Sequence, residues 1–373
     1  MERGTSTRGE IVDDTGLSKA SVARLVDELL RSGFLSIAAQ STAVSQGASE
    51  LSTGDVRGRP PERLTVPLSL GHVIGVSFGL QRTVVVAADL TGAERYAVAE
   101  PTPEYDEPAK LVRWLASRVE TARSNTDGPL HRVTVALPVR VADGRTVQHP
   151  PERWRSLDGL DLAAEIERAV GVDVTISSDA NSAHAGLVDE GFVARDEASI
   201  LLSMSTVLTV DQRDASGRTV LGRSDAFGDL SLLPVFGASG SRASLLSTTG
   251  VQQRCREAGV RFERLSELWK ISSTDVAARN VRADFTDALE TVLRMISVWT
   301  EASTVVLLGR LAPLVELVLP DVQAALTPHI APLPRVAVVG VEGTSNVTAR
   351  GAARTALVAA QSHVREQLTR RPR

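Results

Sequence analysis

The side chains with the most legible chemistry sit at the head of one short helical segment. Lys19, Ser21 and Arg24 are short or forked donors, placed on the turns where a recognition helix meets base edges. Arg57, Arg59 and Arg63 follow further along, with guanidinium forks suited to phosphates or a narrow minor groove. Donors of these types, so placed, are what reading double-stranded DNA would need. Other chemistries are poorly supplied. The chain has one cysteine, Cys255, so it has no internal disulfide and no thiolate cluster for zinc, a usage that fits a reducing cytosol. His131, His149 and His184 are scattered and read as structural or exposed, not as metal ligands.

The elements that must position the donors lie in residues 7–34, TRGEIVDDTGLSKASVARLVDELLRSGF. Thr7 and Glu10 have capping-box spacing, so a helix starts there. Gly16 tolerates the positive φ of a tight turn. Ser18 is an N-cap for a second helix, with Leu17 and Val22 as a hydrophobic staple. Val22, Leu25, Val26, Leu29 and Leu30 form one apolar stripe, and Gly33 ends the helix. Lys19, Ser21 and Arg24 are assigned to the face opposite that stripe. Helix, glycine turn and helix also describe an ordinary helical hairpin, and the flanks favour DNA. A strand can begin at Phe34-Leu35 and a second return after Gly58-Arg59-Pro60-Pro61, which makes a wing. Residues 40–57 are rich in Ser, Thr, Gly and Ala and read as a mobile wing tip or, equally, as a plain interdomain linker.

Length and charge bound the rest. At 373 residues the chain has room for two or three domains at roughly 150 residues each. Net charge is −4, and residues 1–70 set eight Arg/Lys against nine Asp/Glu. DNA affinity must therefore come from locally placed cations, not from a bulk field. The N-terminus has no apolar core of a signal peptide, and no segment reaches the roughly 18 apolar residues of a membrane span.

After Pro61 the texture turns α/β. Residues 72–90 read as two strands closed by Asp89-Leu90-Thr91-Gly92, with a third strand at 95–99 and a helix at 107–124. A strand at 133–139, an irregular loop at 140–159, a helix at 161–170, a strand at 172–177 and a helix at 180–189 complete a unit. The order then restarts with the apolar run 198–210, a turn Asp214-Ala215-Ser216-Gly217 that echoes Asp89–Gly92, and a strand at 218–222. Helices at 248–258 and 281–300, a strand at 304–308, a helix at 311–326, a strand at 336–340 and an Ala-rich helix at 347–367 follow. Two such halves predict a duplicated α/β architecture with a cleft between lobes.

With these residues in view, the chain resembles the ROK (repressor, open reading frame, kinase) family over nearly its whole length. The matching stretches are TGLSKASVARLVDELLRSGF, GRPPERLTV, IGVSFGLQRTVVVAADLTG, SSDANSAHAG and GTSNVTARGAARTALVAA. The resemblance implies an N-terminal winged helix-turn-helix followed by a two-lobed, actin-like sugar-kinase domain. It also implies a further helix ahead of the helix-turn-helix, which has no counterpart here. Kinase members hold ATP phosphates with a D-x-G-x-T strand end and a G-T-G-x-G turn. Here those positions read Ser77-Phe78-Gly79-Leu80-Gln81 and Met204-Ser205-Thr206-Val207-Leu208, which removes the Asp, the Thr and the glycines of a phosphate cradle. Asp179 matches the family's catalytic, sugar-binding aspartate; its alternative reading is the N-cap of helix 180–189. The family's zinc ligands are absent: Leu232 stands for the ligand His, Ser244 for the last Cys, and Asp229 shortens a sugar-contacting Glu.

The expectation is thus an α/β protein with a winged helix-turn-helix at 1–66, a first lobe at 67–190 plus 344–373, and a second lobe at 191–343. Its expected function is transcriptional regulation, as a repressor, by a non-catalytic relative of the sugar kinases. Lys19, Ser21, Arg24, Arg57 and Arg59 are the expected DNA contacts. Asp179, Asn181 and Asp229 are candidate ligand contacts, with a sugar or sugar derivative as the ligand. No cofactor and no metal are expected. The expected partners are an inverted-repeat operator and a second copy of the chain, without a membrane. The alternatives are a sugar kinase and a ligand-independent DNA-binding protein whose lobes serve only as a dimerisation scaffold.

Overall fold

The computed structural model describes residues 4–38, 62–340 and 346–370, apart from residues 106, 149, 151, 207 and 221–244. The N-terminal unit starts with β1 (Ser6–Thr7), α1 (Arg8–Thr15) and α2 (Lys19–Arg31), then β2 (Ser36–Ile37) and β3 (Arg63–Thr65). The capping box forms as expected: Glu10 N donates to Thr7 Oγ1 at 3.2 Å and Thr7 N to Glu10 Oε2 at 2.7 Å. Gly16 turns the chain at φ 67°, and Ser18 Oγ accepts from Ser21 N. At the other end Phe34 N donates to Leu29 O and Gly33 N to Leu30 O, a six-to-one and five-to-two closure around Gly33 at φ 77°. β2 and β3 pair antiparallel, and β1 pairs with the other edge of β3, a strand too short to be read from sequence. The expected wing tip, residues 40–57 with Arg57, and the adjacent Arg59 lie outside the described residues.

Two sheets follow. The first contains β4 (His72–Phe78), β5 (Arg82–Asp89), β6 (Glu94–Pro101), β7 (Leu130–Leu137) and β10 (Asp173–Ser178), in the order β10-β7-β4-β5-β6. Its helices are α3 (Pro108–Ser124) and α4 (Leu162–Val170). The expected irregular loop at 140–159 is in fact structured. It holds a hairpin, β8 (Arg140–Ala142) with β9 (Thr146–Gln148), and a 3-10 stretch Glu152–Leu157 that buries Trp154 and Leu157. Asp143 and Gly144, both with positive φ, make that hairpin's turn. Helix α5 (Asp179–Asp189) leads to β11 (Ser199–Met204), β12 (Leu208–Arg213), α6 (Thr248–Glu257), α7 (Leu265–Ile271), α8 (Val276–Trp299), β13 (Thr304–Leu308), α9 (Ala312–Leu326), β14 (Arg335–Val339) and α10 (Val347–Arg370). The second sheet runs β12-β11-β13-β14. Its antiparallel hairpin beside parallel strands repeats the first sheet's plan. The expected strand at 218–222 is reduced to a single bridge at Thr219 among its described residues.

The Asp-x-x-Gly echo is geometric as well as sequential. Asp89 Oδ1 accepts from Thr91 N, Thr91 Oγ1 and Ala93 N, while Asp214 Oδ1 accepts from Ser216 N, Ser216 Oγ and Arg218 N. Each carboxylate closes its turn over a glycine with positive φ, Gly92 and Gly217.

Between the sheets lie α5 and α10. Ala349, Ala353, Ala356, Leu357 and Ala360 of α10 pack on Val73, Val84 and Val86 of the first sheet. Ala180, Ala183 and Leu187 of α5 pack on Leu201, Val306 and Leu308 of the second. The two helices cross almost without side chains. A Cβ on Gly351 would lie 1.7 Å from Ser182 O, and one on Gly186 would lie 2.2 Å from Val347 O. A Cβ on Gly75 in β4 would likewise meet Ala349 O and Ala353 N at 2.2 Å.

The joint to the N-terminal unit is short and packed. Between β3 and β4 only residues 66–71 intervene. Val66 packs against both the core of the N-terminal unit and the α10 face of the first lobe, and Leu70 joins the latter. His131 Nε2 lies 2.6 Å from Leu70 O, and His72 N donates to Pro129 O. No helix among the described residues is long and apolar enough to cross a membrane.

Candidate functional site

On α2 the stripe is narrower than expected. Val22 and Val26 are buried with Leu35 and Leu64, and Leu29 and Leu30 pack against them, but Leu25 stays 42% exposed. The apolar centre lies near Val22, Val26 and Leu29, and Leu25 falls at its margin, where α1 and three short strands offer nothing to cover it. Leu17 is 44% exposed, so the expected staple is not a buried contact.

Arg24 is exposed on the side of α2 away from that core, and Lys19 is exposed on the first turn. Neither makes an ion pair or side-chain hydrogen bond among the described residues. At 100° per residue Arg24 lies diametrically across from the buried residues, whereas Lys19 lies near the stripe's edge and is freed by its terminal position. Ser21 is half-buried; its N–H caps onto Ser18 and its hydroxyl accepts from Ser18 Oγ at 3.0 Å. Asp27 is occupied by Arg8 from α1 at 2.7 Å, which fastens the two helices and neutralises a carboxylate beside the donors. Arg63 is exposed in β3 and donates to Thr5 Oγ1. Sequence reasoning passed over Arg31, which is exposed two turns after Arg24 on the same line of the helix.

The second candidate site lies at the carboxyl ends of the parallel strands, where ligands of open α/β sheets gather. Asp179 follows β10 directly. It is the first residue of α5, not its N-cap as the alternative reading had it: Ser178 Oγ takes the capping bond from Asn181 N. Asp179 Oδ1 accepts from Ala180 N at 2.8 Å and from Thr209 Oγ1 at 3.3 Å. No cation faces it. The residue is half-buried, and desolvation of its carboxyl outweighs the hydrogen bonds and pushes its pKa up to about 6.

Asn181 is employed within the chain. Its Nδ2 donates to Asp211 Oδ1 and Thr219 Oγ1, and its backbone oxygen accepts from Arg213 Nη2. His184 is fully buried, with Nδ1 at 2.8 Å from Asp211 Oδ2 and Nε2 at 2.8 Å from Ser199 Oγ. Thr209, Asp211 and Arg213 alternate along β12 and so present one polar face to α5. This zipper was invisible in sequence, because its members lie on two elements and fit no motif. The third candidate ligand residue, Asp229, and the expected zinc positions Leu232 and Ser244 lie outside the described residues; among the described residues no group of three metal-ligating side chains occurs.

The two turns that the resemblance aligns with the kinases' phosphate loops are bonded to neighbouring elements through their carbonyl oxygens. In the first, Gly79 O accepts from Thr102 Oγ1, Leu80 O from Arg153 Nη1, and Gln81 O from Thr102 N. In the second, Ser205 O accepts from Thr248 N and Thr248 Oγ1, and Thr206 O from Thr249 Oγ1. The helix end that could meet a phosphate is thus capped by the turn and by Ser247 Oγ, which takes Gly250 N.

The fold defines a two-lobed, actin-like α/β protein with a helix-turn-helix unit at its N-terminus. Residues 73–206 match the model of the ROK family. Among curated relatives, it is 30% identical over 186 residues to transcriptional regulator Rv0485 of Mycobacterium tuberculosis and equally to transcriptional regulator Mb0495 of Mycobacterium bovis. Each match takes in 47% of this chain and 37% of the relative, so the chain spans little more than a third of those regulators' length. Among solved structures, it superposes on a ROK family transcriptional regulator homologous to E. coli MLC with a TM-score of 0.68, at 16% identity, over 95% of this chain and 93% of the other. A ROK hexokinase from Thermus thermophilus superposes with a TM-score of 0.62, at 20% identity, over 78% of this chain and all of the kinase.

Proposed function

We propose that this protein is a DNA-binding transcriptional regulator whose kinase-like lobes no longer transfer phosphate. The observation that carries the reading is the state of Lys19 and Arg24: exposed cations, unpaired among the described residues, on a helix fixed by two caps and an ion pair. The curated relatives named as regulators support the same reading. Arg57 and Arg59 are proposed to steady the backbone or minor groove. A two-fold dimer would place two such helices on an inverted repeat. The lobes are proposed to pair two copies and to take a small polyol at Asp179, with Asn181 and Asp229 as further candidates. Since Asn181's amide is committed to Asp211 and Thr219, Asp179 is the principal one.

The test is a binding titration on a duplex selected from random sequence and on a scrambled duplex, at several salt concentrations. Arg24→Ala should cost roughly 1–3 kcal/mol on the selected duplex and relax one base position per half-site. Arg59→Ala should weaken both duplexes alike and lower the salt slope by about one for each phosphate no longer neutralised. An Arg24→Ala protein that binds with wild-type affinity and selectivity removes α2 from the reading role.

The alternative of a sugar kinase makes a different prediction. With ATP, magnesium and a panel of hexoses, no sugar phosphate should form above a protein-free blank, because Ser77, Gln81 and the Met204–Leu208 run lack the charge and the glycines of a phosphate cradle. Sustained turnover would restore the kinase reading.

A further inference from the structure

We propose that Ala20 reads the 5-methyl group of a thymine in the major groove, one helical turn ahead of the base pair that Arg24 contacts. The inference rests on the reading of α2 as the DNA-facing helix. At 100° per residue Ala20 falls within about 40° of Arg24, on the side turned away from the buried Val22 and Val26. Ala20 and Arg24 are both exposed. Asp27 and Arg31 continue the same outward line, and Asp27 is already paired with Arg8 at 2.7 Å. Of these four residues Ala20 alone is apolar. Ser21, the neighbour expected to touch bases, is half-buried, with its hydroxyl bonded to Ser18 Oγ at 3.0 Å.

The major groove offers hydrogen-bonding groups and one apolar group, the thymine methyl. A side chain with neither donor nor acceptor favours a base only through that methyl. Ala20 has no rotamer to freeze, and its small size lets the first turn of α2 approach the base edges. That turn is held in place by Ser18, whose Oγ accepts from Ser21 N at 3.2 Å. Cβ atoms four residues apart on a helix lie roughly 5–6 Å from each other, and base pairs stack about 3.4 Å apart. The thymine is therefore within about two base pairs of the pair that Arg24 reads. Leu25 is the competing apolar residue of α2, 42% exposed. It stands about 100° from Arg24 and about 140° from Ala20, at the margin of the core, so it faces the flank of the groove and not its floor.

The experiment uses the full chain and a duplex selected from random sequence, with each thymine of a half-site replaced in turn by uracil. That change deletes the methyl, keeps every hydrogen bond and leaves the protein untouched. Anisotropy titration should find one thymine per half-site whose replacement weakens binding about fourfold, the worth of one buried methyl group. It should lie within about two base pairs of the position whose preference Arg24→Ala relaxes. With a C·G pair in its place, methylating the cytosine at C5 should tighten binding, again by about fourfold. In Ala20→Gly the thymine and uracil duplexes should bind alike. The ratio is taken within one protein, so any loss of stability common to both duplexes cancels. Absence of a methyl-sensitive thymine near the Arg24 position, no gain on cytosine methylation, or a methyl effect that survives Ala20→Gly would each overturn the proposal. If Arg24→Ala keeps wild-type affinity and selectivity, the reading of α2 falls and this inference with it. Relaxed selectivity in Arg24→Ala without a methyl-sensitive thymine removes this inference alone.

Discussion

Asp179→Asn should make the protein more stable at pH 7. Burial holds the Asp179 carboxyl at a pKa of about 6 against an ordinary 3.8, so the folded chain binds a proton more tightly than the unfolded chain. The sign follows from linkage. The advantage of the protonated form is complete below about pH 4 and is lost as pH rises through 6. At pH 7 a desolvated carboxylate remains, at a cost of up to roughly 3 kcal/mol for a two-unit shift. Asparagine removes the charge and keeps an acceptor for Ala180 N and Thr209 Oγ1. The melting temperature of Asp179→Asn should exceed that of wild type by several degrees at pH 7, and the gap should close by pH 4. A carboxylate retained against stability is a mark of a working site. Asp179→Asn melting below wild type at neutral pH would make Asp179 a structural acceptor instead.

Gly351→Ala should have the largest destabilising effect of any single methyl group added to this chain. The new Cβ would stand 1.7 Å from Ser182 O and 2.7 Å from Gly186 N, atoms of the facing helix backbone that no rotamer change can move. Helices α5 and α10 would have to separate, opening the apolar layers on both sides. Alanine's helix propensity returns about 1 kcal/mol, and the clash should exceed it by roughly 3 kcal/mol or more. Chemical denaturation should show a lower midpoint, or the variant should be insoluble. A variant as stable as wild type would mean that the helices do not cross this closely.

The elements that position both candidate sites were legible where local chemistry is strong. Thr7, Ser18 and Gly33 marked the ends of α1 and α2, and the alanines of α10 marked its buried face. What escaped was set by tertiary partners or by competition between neighbours. Ser178 and Asp179 are both good caps, and the serine hydroxyl wins, which moves the aspartate one residue into the helix and toward the cleft. The run 198–210 breaks into a hairpin at Ser205-Thr206, a turn without Gly, Asn or Pro to announce it. α7 is only seven residues long and is held by Leu268 and Trp269 against the second-lobe core. α8 begins earlier than its apolar period indicated because Asp275 caps it.

Val66 belongs to two cores at once, and that makes the N-terminal unit a lever, not a tethered bead. A chain joined by a loose string samples many orientations and tolerates variable distances between the two DNA sites it grasps. A residue shared by both hydrophobic clusters removes that slack, because turning one unit relative to the other would strip apolar surface from each. For the proposed dimer, helical phase along the duplex would then be a property of the folded protein: half a turn of DNA added between two half-sites would present the wrong face to one α2, and the packed joint at residues 66–71 would resist absorbing the error.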